Sequence, residues 1–188
     1  MKKQRMLTIE PMKFPKDKYE IASWEIRFQG EKGLDYINKF ILEDGIFTGG
    51  LGEVIETNHE NFPIGNDERK FAFVARDPSG EIVAWSLIDF FNISTTEPSM
   101  FIQYIVVHPR YQKRGYGKTF AKELILNPES YIGGKPKEYF AYIDKENQAS
   151  RRLFEDFGFD IEPIKNTRFF RAITTQPELR KNNNQFGK

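Results

Sequence analysis

The sequence predicts a single α/β domain: a mixed, mostly antiparallel central sheet of about seven strands with flanking helices. Three observations lead there. Stretches of period-two alternation interleave with stretches of helical period, and a hairpin pattern stands on either side of the interleaved part. The 188 residues suit one domain, long enough to bury a core without a covalent staple, and no cysteine is present to form one. With 18 Phe, 8 Tyr and 2 Trp, the chain has ample aromatic volume for that core. The domain is expected over residues 1–175, and the remaining 176–188 as a disordered tail.

Leu7 to Met12 alternates and reads as a first strand, ended by Pro11 and Pro15. Glu31 to Glu43 carries Leu34, Ile37 and Ile41 at helical spacing, with Gly45 as the stop. Asp44 to Lys70 is rich in Gly and Pro without a sustained period, and reads as a long loop of the kind that builds binding sites. Phe71 to Ala75 and Ile82 to Phe91 form a hairpin across the turn tetrad Asp77-Pro78-Ser79-Gly80. Phe101 to Val107 is a strong strand stopped by His108-Pro109, and Gly115 to Leu126 follows with helical period. Glu138 to Ile143 is a buried strand, and Asn147 to Phe157 a helix closed by Gly158. Phe159 to Ile164 and Arg168 to Ile173 make the closing hairpin, after which Gln176 to Lys188 has almost nothing to bury. No internal repeat is visible.

Composition removes several classes of function. Without cysteine there is no thiolate nucleophile and no thiolate zinc site, and the two histidines, His59 and His108, have no further ligands spaced around them, so no metal is expected. With 28 basic and 27 acidic residues the net charge is +1, which argues against nucleic acid as a partner. No apolar run approaches the ~20 residues of a membrane span. Met1 to Arg5 has a leader's charge, but Thr8, Glu10 and Lys13 leave no apolar region behind it. A soluble cytoplasmic protein, monomer or homodimer, is expected.

The most informative stretch runs from Ile105 to Gly117: a strand end, a short basic loop, then two glycines opening a helix. Main-chain N–H groups at a helix start lack partners and face a positive dipole end, a natural cradle for pyrophosphate. Gly115 and Gly117 allow close approach of an anion, and Lys113, Arg114 and Lys118 add positive charge at the rim. The dinucleotide pattern G-x-G-x-x-G fails, because Phe120 stands at its third glycine. The triphosphate loop is matched at its end by Gly117-Lys118-Thr119, but its first glycine is Gln112. The pattern Q-x-x-G-x-G is met in full by Gln112, Gly115 and Gly117.

On these residues the sequence resembles the GCN5-related N-acetyltransferase superfamily. A second segment carries the resemblance further: Asn147, Ser150, Leu153, Phe154, Gly158 and Phe159 follow N-x-x-S-x-x-L-[YF]-x-x-x-G-F. The resemblance implies the acyl-CoA N-acyltransferase fold, in which two parallel strands, here Phe101–Val107 and Glu138–Ile143, splay to admit the pantetheine arm. It implies acetyl-CoA as co-substrate, held by main-chain groups of Ile105, Val106 and Val107, by the amides of Gln112, Lys113, Arg114, Gly115, Tyr116, Gly117 and Lys118, and by Asn147. Asn147 also suits a helix N-cap.

The implied chemistry is direct attack of a primary amine on the thioester in a ternary complex, with a main-chain N–H near Val107 stabilising the oxyanion. An amine of pKa ~10.4 is neutral to only about one part in two thousand at pH 7, so a proton acceptor helps. Candidates are Tyr142, on the partner strand, Gln103, which faces the site on the splayed strand but accepts a proton poorly, and Glu97 and Asp89, within reach of the cleft. Tyr142 also reads as a core aromatic, and the carboxylates as solvated charges. Relatives place a proton-donating Tyr where this chain has Phe154, which leaves the general acid open; Tyr104 and Tyr142 are the available hydroxyls. The acceptor is a small-molecule or protein amine.

Two other readings compete. One is a non-catalytic acyl-CoA binder, with Phe154 marking lost activity. The other is a nucleotide triphosphatase using Gly117-Lys118-Thr119, with Asp144 holding magnesium.

Overall fold

The computed structural model describes residues 6–24, 27–29, 35–37, 40–42, 45–47, 50–61, 69–92 and 97–180. In chain order the elements are β1 (Thr8–Pro11), α1 (Lys16–Ala22), β2 (Arg27–Gln29), β3 (Asp35–Ile37), β4 (Phe40–Leu42), β5 (Gly45–Phe47) and α2 (Gly50–Asn61). Then come β6 (Lys70–Arg76), β7 (Ile82–Phe91), β8 (Ser99–Val107), a 3₁₀ turn (Pro109–Tyr111), α3 (Tyr116–Leu126) and α4 (Glu129–Ile132). β9 (Glu138–Asp144), α5 (Gln148–Asp156), β10 (Asp160–Pro163) and β11 (Phe169–Thr174) complete the order.

Seven strands form the central sheet in the order β1-β6-β7-β8-β9-β11-β10. Every neighbouring pair is antiparallel except β8 and β9, which run parallel. This is the mixed, mostly antiparallel architecture expected from the sequence. Two cores sandwich the sheet. On one face Phe120, Ala121, Leu124 and Ile125 of α3, with Phe154 of α5, pack on Val83, Ile88, Met100 and Ile102. On the other, Ile21 of α1 and Leu51, Val54 and Ile55 of α2 pack on Val74, Trp85, Leu87 and Val106.

Two irregularities position the site. The β7–β8 register pairs Leu87 with Tyr104 and then Ile88 with Ile102, leaving Gln103 as a bulge without a ladder partner. The β8–β9 pairing runs from Ser99↔Glu138 only to Phe101↔Phe140, after which β9 pairs with β11 alone. The parallel strands are thus joined at one end and separate beyond Phe101.

Between residues 31 and 70 the described structure differs from what the sequence predicts. Where a helix was expected over Glu31–Glu43, the described residues form β3 and β4, in two-stranded ladders with β2 and β5. Asp35-Tyr36-Ile37 and Phe40-Ile41-Leu42 each carry an aromatic and a β-branched residue and pair locally, and the spacing of Leu34, Ile37 and Ile41 does not distinguish helix from strand. Gly45, the expected helix stop, pairs with Leu42. The expected loop after Asp44 contains α2, concealed by glycines that disfavour helix. One of them has a packing reason: a Cβ on Gly52 would stand 2.8 Å from Ala22 Cβ, so glycine lets α2 close on α1.

Helices α1 and α4, each opening just after a proline, were not anticipated. In the expected tail, the N–H groups of Glu178 and Arg180 bond to Phe157 O at 3.1 Å and Asp156 O at 2.8 Å, so the segment is tethered at the end of α5 as far as Arg180. Residues 181–188 lie outside the described part. No helix among the described residues is long and apolar enough to cross a membrane.

Candidate active site

The loop that follows β8 is built around what its backbone must do. His108 Nδ1 accepts from Arg110 N–H at 3.1 Å and starts the 3₁₀ turn, where Pro109 supplies the fixed φ. Lys113 at φ 57° and Gly115 at φ 84° then reverse the chain into α3. Gly115 is the N-cap, and having no side chain it offers α3 no cap, so the first-turn amides stay available to an anion. The two glycines serve different ends. A Cβ on Gly115 would meet nothing within 4 Å, so its conformation demands glycine; one on Gly117 would stand 3.1 Å from Val107 Cγ2, so there closeness does.

Side chains brace this loop from behind. Gln112 Nε2 donates to Val107 O at 3.2 Å. Tyr111 OH donates to Glu81 Oε2 at 2.5 Å in the β6–β7 hairpin, and this bond to a carboxylate pushes the phenol up to about 12. The His108 ring lies 5.0 Å from Trp24 and 5.5 Å from Tyr111, and loss of solvent lowers its pKa.

Opposite the loop, α5 begins at Asn147, whose Oδ1 accepts from Ser150 N–H at 3.0 Å, the N-cap expected of it. Between the loop and α5 lies a cavity of about 430 Å³ at the open end of the β8–β9 gap. Of the residues expected to hold the co-substrate, Ile105, Val106, Val107, Gln112, Lys113, Gly115, Tyr116, Gly117, Lys118 and Asn147 line it. Arg114 does not; its guanidinium lies 5.8 Å from the centre of the Tyr111 ring.

The main chain of β8 is oriented for a strand-like partner. His108 N–H bonds Val83 O at 2.9 Å, so by alternation the N–H groups of Ile105 and Val107 turn away from β7, toward the gap.

Lys118 Nζ already pairs with Asp156 Oδ2 at 2.5 Å, so its charge is partly spent inside the protein. Sequence reasoning missed Arg152, which lines the cavity one helical turn from Gln148 and has neither hydrogen bond nor ion pair among the described residues. The signal was available: Gln148 and Arg152 share a face at i,i+4 spacing from the Asn147 cap.

The candidate proton-transfer residues stand elsewhere. Tyr142 is 47 % exposed, with its ring 5.4 Å from Phe101 and 6.2 Å from Phe140. Gln103 Nε2 donates to Asp89 Oδ2. Glu97 is exposed and pairs with Lys137 at 2.5 Å, at the closed end of the β8–β9 pair. None of the three lines the cavity. Phe154 is 5 % exposed and packs edge-on to Phe159 at 5.0 Å in the core, so its ring does not enter the cavity either.

The groups that a magnesium-triphosphate site would need are engaged. Thr119 Oγ1 donates to Gly115 O at 3.1 Å, and Asp144 bonds Arg168 and the N–H of Glu146. No cluster of three metal-ligating side chains occurs among the described residues.

Solved structures of similar shape include acetyltransferases. The ribosomal-protein-S18-alanine N-acetyltransferase of Escherichia coli superposes with a TM-score of 0.54 at 17% identity, covering 97% of this chain and 100% of that one. A chimera of the spermidine N-acetyltransferase SpeG of Vibrio cholerae and hSSAT superposes at 0.61 with 16% identity, covering 90% and 95%. A chain of the NatC complex bound to Gag peptide and CoA superposes at 0.56 with 14% identity, covering 92% and 98%. At these identities the likeness establishes the fold. No curated protein matches the chain. The family model described as "Acetyltransferase (GNAT) family" matches residues 39–159, well over half of the sequence, spanning the gap, the loop and α5. The chain therefore belongs to the acetyltransferase (GNAT) family, acetyl-CoA-dependent N-acetyltransferases.

Proposed function

We propose that this chain transfers an acetyl group from acetyl-CoA to a primary amine by direct attack within a ternary complex. The observation that carries the reading is the gap: β8–β9 pairing ends at Phe101↔Phe140, and the cavity opens beyond it beside the outward main chain of Ile105 and Val107. An extended amide-bearing arm fits there as an added strand. The pyrophosphate fits at the uncapped start of α3, where Gly117 leaves the space a Cβ would fill. Acetyl-CoA supplies an activated acyl group whose leaving thiol, at a pKa of about 8.5, departs without strong acid assistance. That suits a chain whose Phe154 has no proton to give.

In this reading Ile105 and Val107 N–H groups bind and orient the arm, the Gln112–Lys118 loop holds its charged end, and Arg152 and Lys113 draw the anion in. Asn147 closes the far side of the gap. The acceptor approaches from the opposite face of the sheet, past Phe101, Phe140 and Tyr142.

Calorimetric titration of the full chain with acetyl-CoA tests the donor side, with ATP plus magnesium in parallel. Saturable binding of acetyl-CoA and not of ATP is expected; the reverse removes the reading. CoA release measured against an amine panel then separates transfer from mere acyl-CoA binding. Spermidine and a peptide beginning with alanine head that panel, since the structural neighbours act on acceptors of those kinds.

A further inference from the structure

A chain of polar groups crosses the sheet where β8 bulges, and the reaction as described above uses none of it. Asn58 of α2 donates from Nδ2 to Val54 O at 2.8 Å and accepts at Oδ1 from Lys70 Nζ at 3.1 Å. Lys70 Nζ pairs with Asp89 Oδ1 at 3.1 Å, and the other oxygen of Asp89 accepts from Gln103 Nε2. The chain thus runs from α2 through β6 and β7 to Gln103, the residue of β8 left over in the β7–β8 register.

Stability is a poor reason for this arrangement. The Lys70 and Asp89 side chains are 7% and 13% exposed, and a buried ion pair recovers little more than its desolvation cost. What such a pair does supply is a fixed direction, because neither partner can swing without stranding the other. The negative charge of Asp89 is felt locally: the Tyr104 phenol is pushed up to about 12, first by burial and then by that carboxylate.

Location gives the arrangement its use. One extra residue in a strand shifts the alternation of everything beyond it by one place. The bulge at Gln103 stands two residues past the last β8–β9 pair and two before Ile105, so it sets which amides of β8 face the gap. If Gln103 slipped into the ladder, the amides of Ile105 and Val107 would turn toward β7.

Resting on the acetyl-transfer reading, we propose that Asp89 is a positioning residue: held by Lys70, it clamps Gln103 and so locks the phase of β8 that presents the Ile105 and Val107 amides to the acyl-CoA arm and its carbonyl. It acts through the backbone and does not touch the substrate.

The test is isotope-edited infrared spectroscopy of acetyl-CoA labelled with carbon-13 at the carbonyl, bound to the full chain. The wild-type carbonyl stretch should lie at lower wavenumber than in free acetyl-CoA, the mark of a hydrogen bond to the thioester oxygen. Gln103→Leu keeps volume and removes the clamp. Gln103→Ser removes it without adding apolar surface, so a folding defect in one does not spoil the experiment. Both should return the stretch toward the free position while acetyl-CoA still binds. For any amine that is turned over, kcat should fall about 10²-fold, the cost of misplacing a reacting group, and KM for acetyl-CoA should rise as well, because the same amides hold the arm.

A wild-type stretch at the free position, or a shift that survives in both Gln103 variants, overturns the proposal. So does an Asp89→Asn protein that keeps the shift yet loses turnover, since Asp89 would then be the proton acceptor itself. If acetyl-CoA does not bind at all, the acetyl-transfer reading falls first and takes this one with it.

Discussion

The two walls of the cavity are built by opposite means. The loop from Gln112 to Lys118 offers main chain: two glycines, a left-handed lysine and a helix start without a cap. The α5 wall offers side chains, on a helix whose own first turn is capped by Asn147 and which buries Phe154, with Phe157 buried at its C-cap. The first wall depends on the absence of atoms, the second on an amphipathic helix being held at the right height. A substitution should therefore cost binding on the loop and stability on the buried side of α5.

The largest effect expected from this contrast is at Gly117. Gly117→Val puts a branched Cβ against Val107, where the proposed site has its anion. The loss of one or more charged hydrogen bonds, about 1.5–3 kcal/mol each, should weaken acetyl-CoA binding roughly tenfold to a hundredfold by calorimetry, in a protein that still folds. Unchanged affinity would remove the loop from the site.

Next comes Phe154→Tyr on the other wall. Had the ring faced the thiol, a hydroxyl there would raise kcat. Buried against Phe159, it instead meets no partner and should cost about 1–3 kcal/mol in a denaturant melt, with kcat unchanged. A faster, equally stable variant would show that the helix presents this ring to the cavity.

Arg152→Ala addresses the solvent side of the same helix. An exposed cation contributes about 0.2–1 kcal/mol, so acetyl-CoA affinity should fall a few-fold, and the deficit should shrink as salt rises. A salt-independent loss would mean that Arg152 packs rather than attracts.

The smallest effect is at His108, whose ring packs the loop against Trp24. Desolvation lowers its pKa in the fold, so the unfolded chain takes up the proton more readily. Its contribution to stability is therefore complete above the unfolded value near 6.5 and is lost as pH falls through the lower folded value. An NMR titration should give a midpoint below 6.5. A midpoint above it would mean that Glu81 and Glu20 outweigh burial.

Legibility in the sequence followed the locality of the cause. The strands Phe71–Ala75, Ile82–Phe91 and Phe101–Val107 are mainly apolar runs, and the glycines, Gln112 and Asn147 stand in short patterns whose mechanism is local. The failures between residues 31 and 70 have the opposite origin. Gly52 looked like a helix breaker because its reason for being glycine is Ala22, thirty residues away. Lys118 looked available because the residue that engages it, Asp156, lies on another helix. Gln103 looked like a failed proton acceptor, and only the β7–β8 register marks it as a bulge clamped by Asp89.

By itself, the sequence determined the strand and helix order from Phe71 onward apart from the short α4, the loop that opens α3, and the cap that opens α5, because period, turn chemistry and capping act within a few residues. Only the tertiary structure decided where β8 and β9 part, which amides face the gap, and that Phe154 turns into the core while Arg152 turns to the cavity. Those outcomes depend on strand register and on how a helix is rotated against the sheet. Both are settled by contacts between segments far apart in the chain, and no short window of sequence contains them.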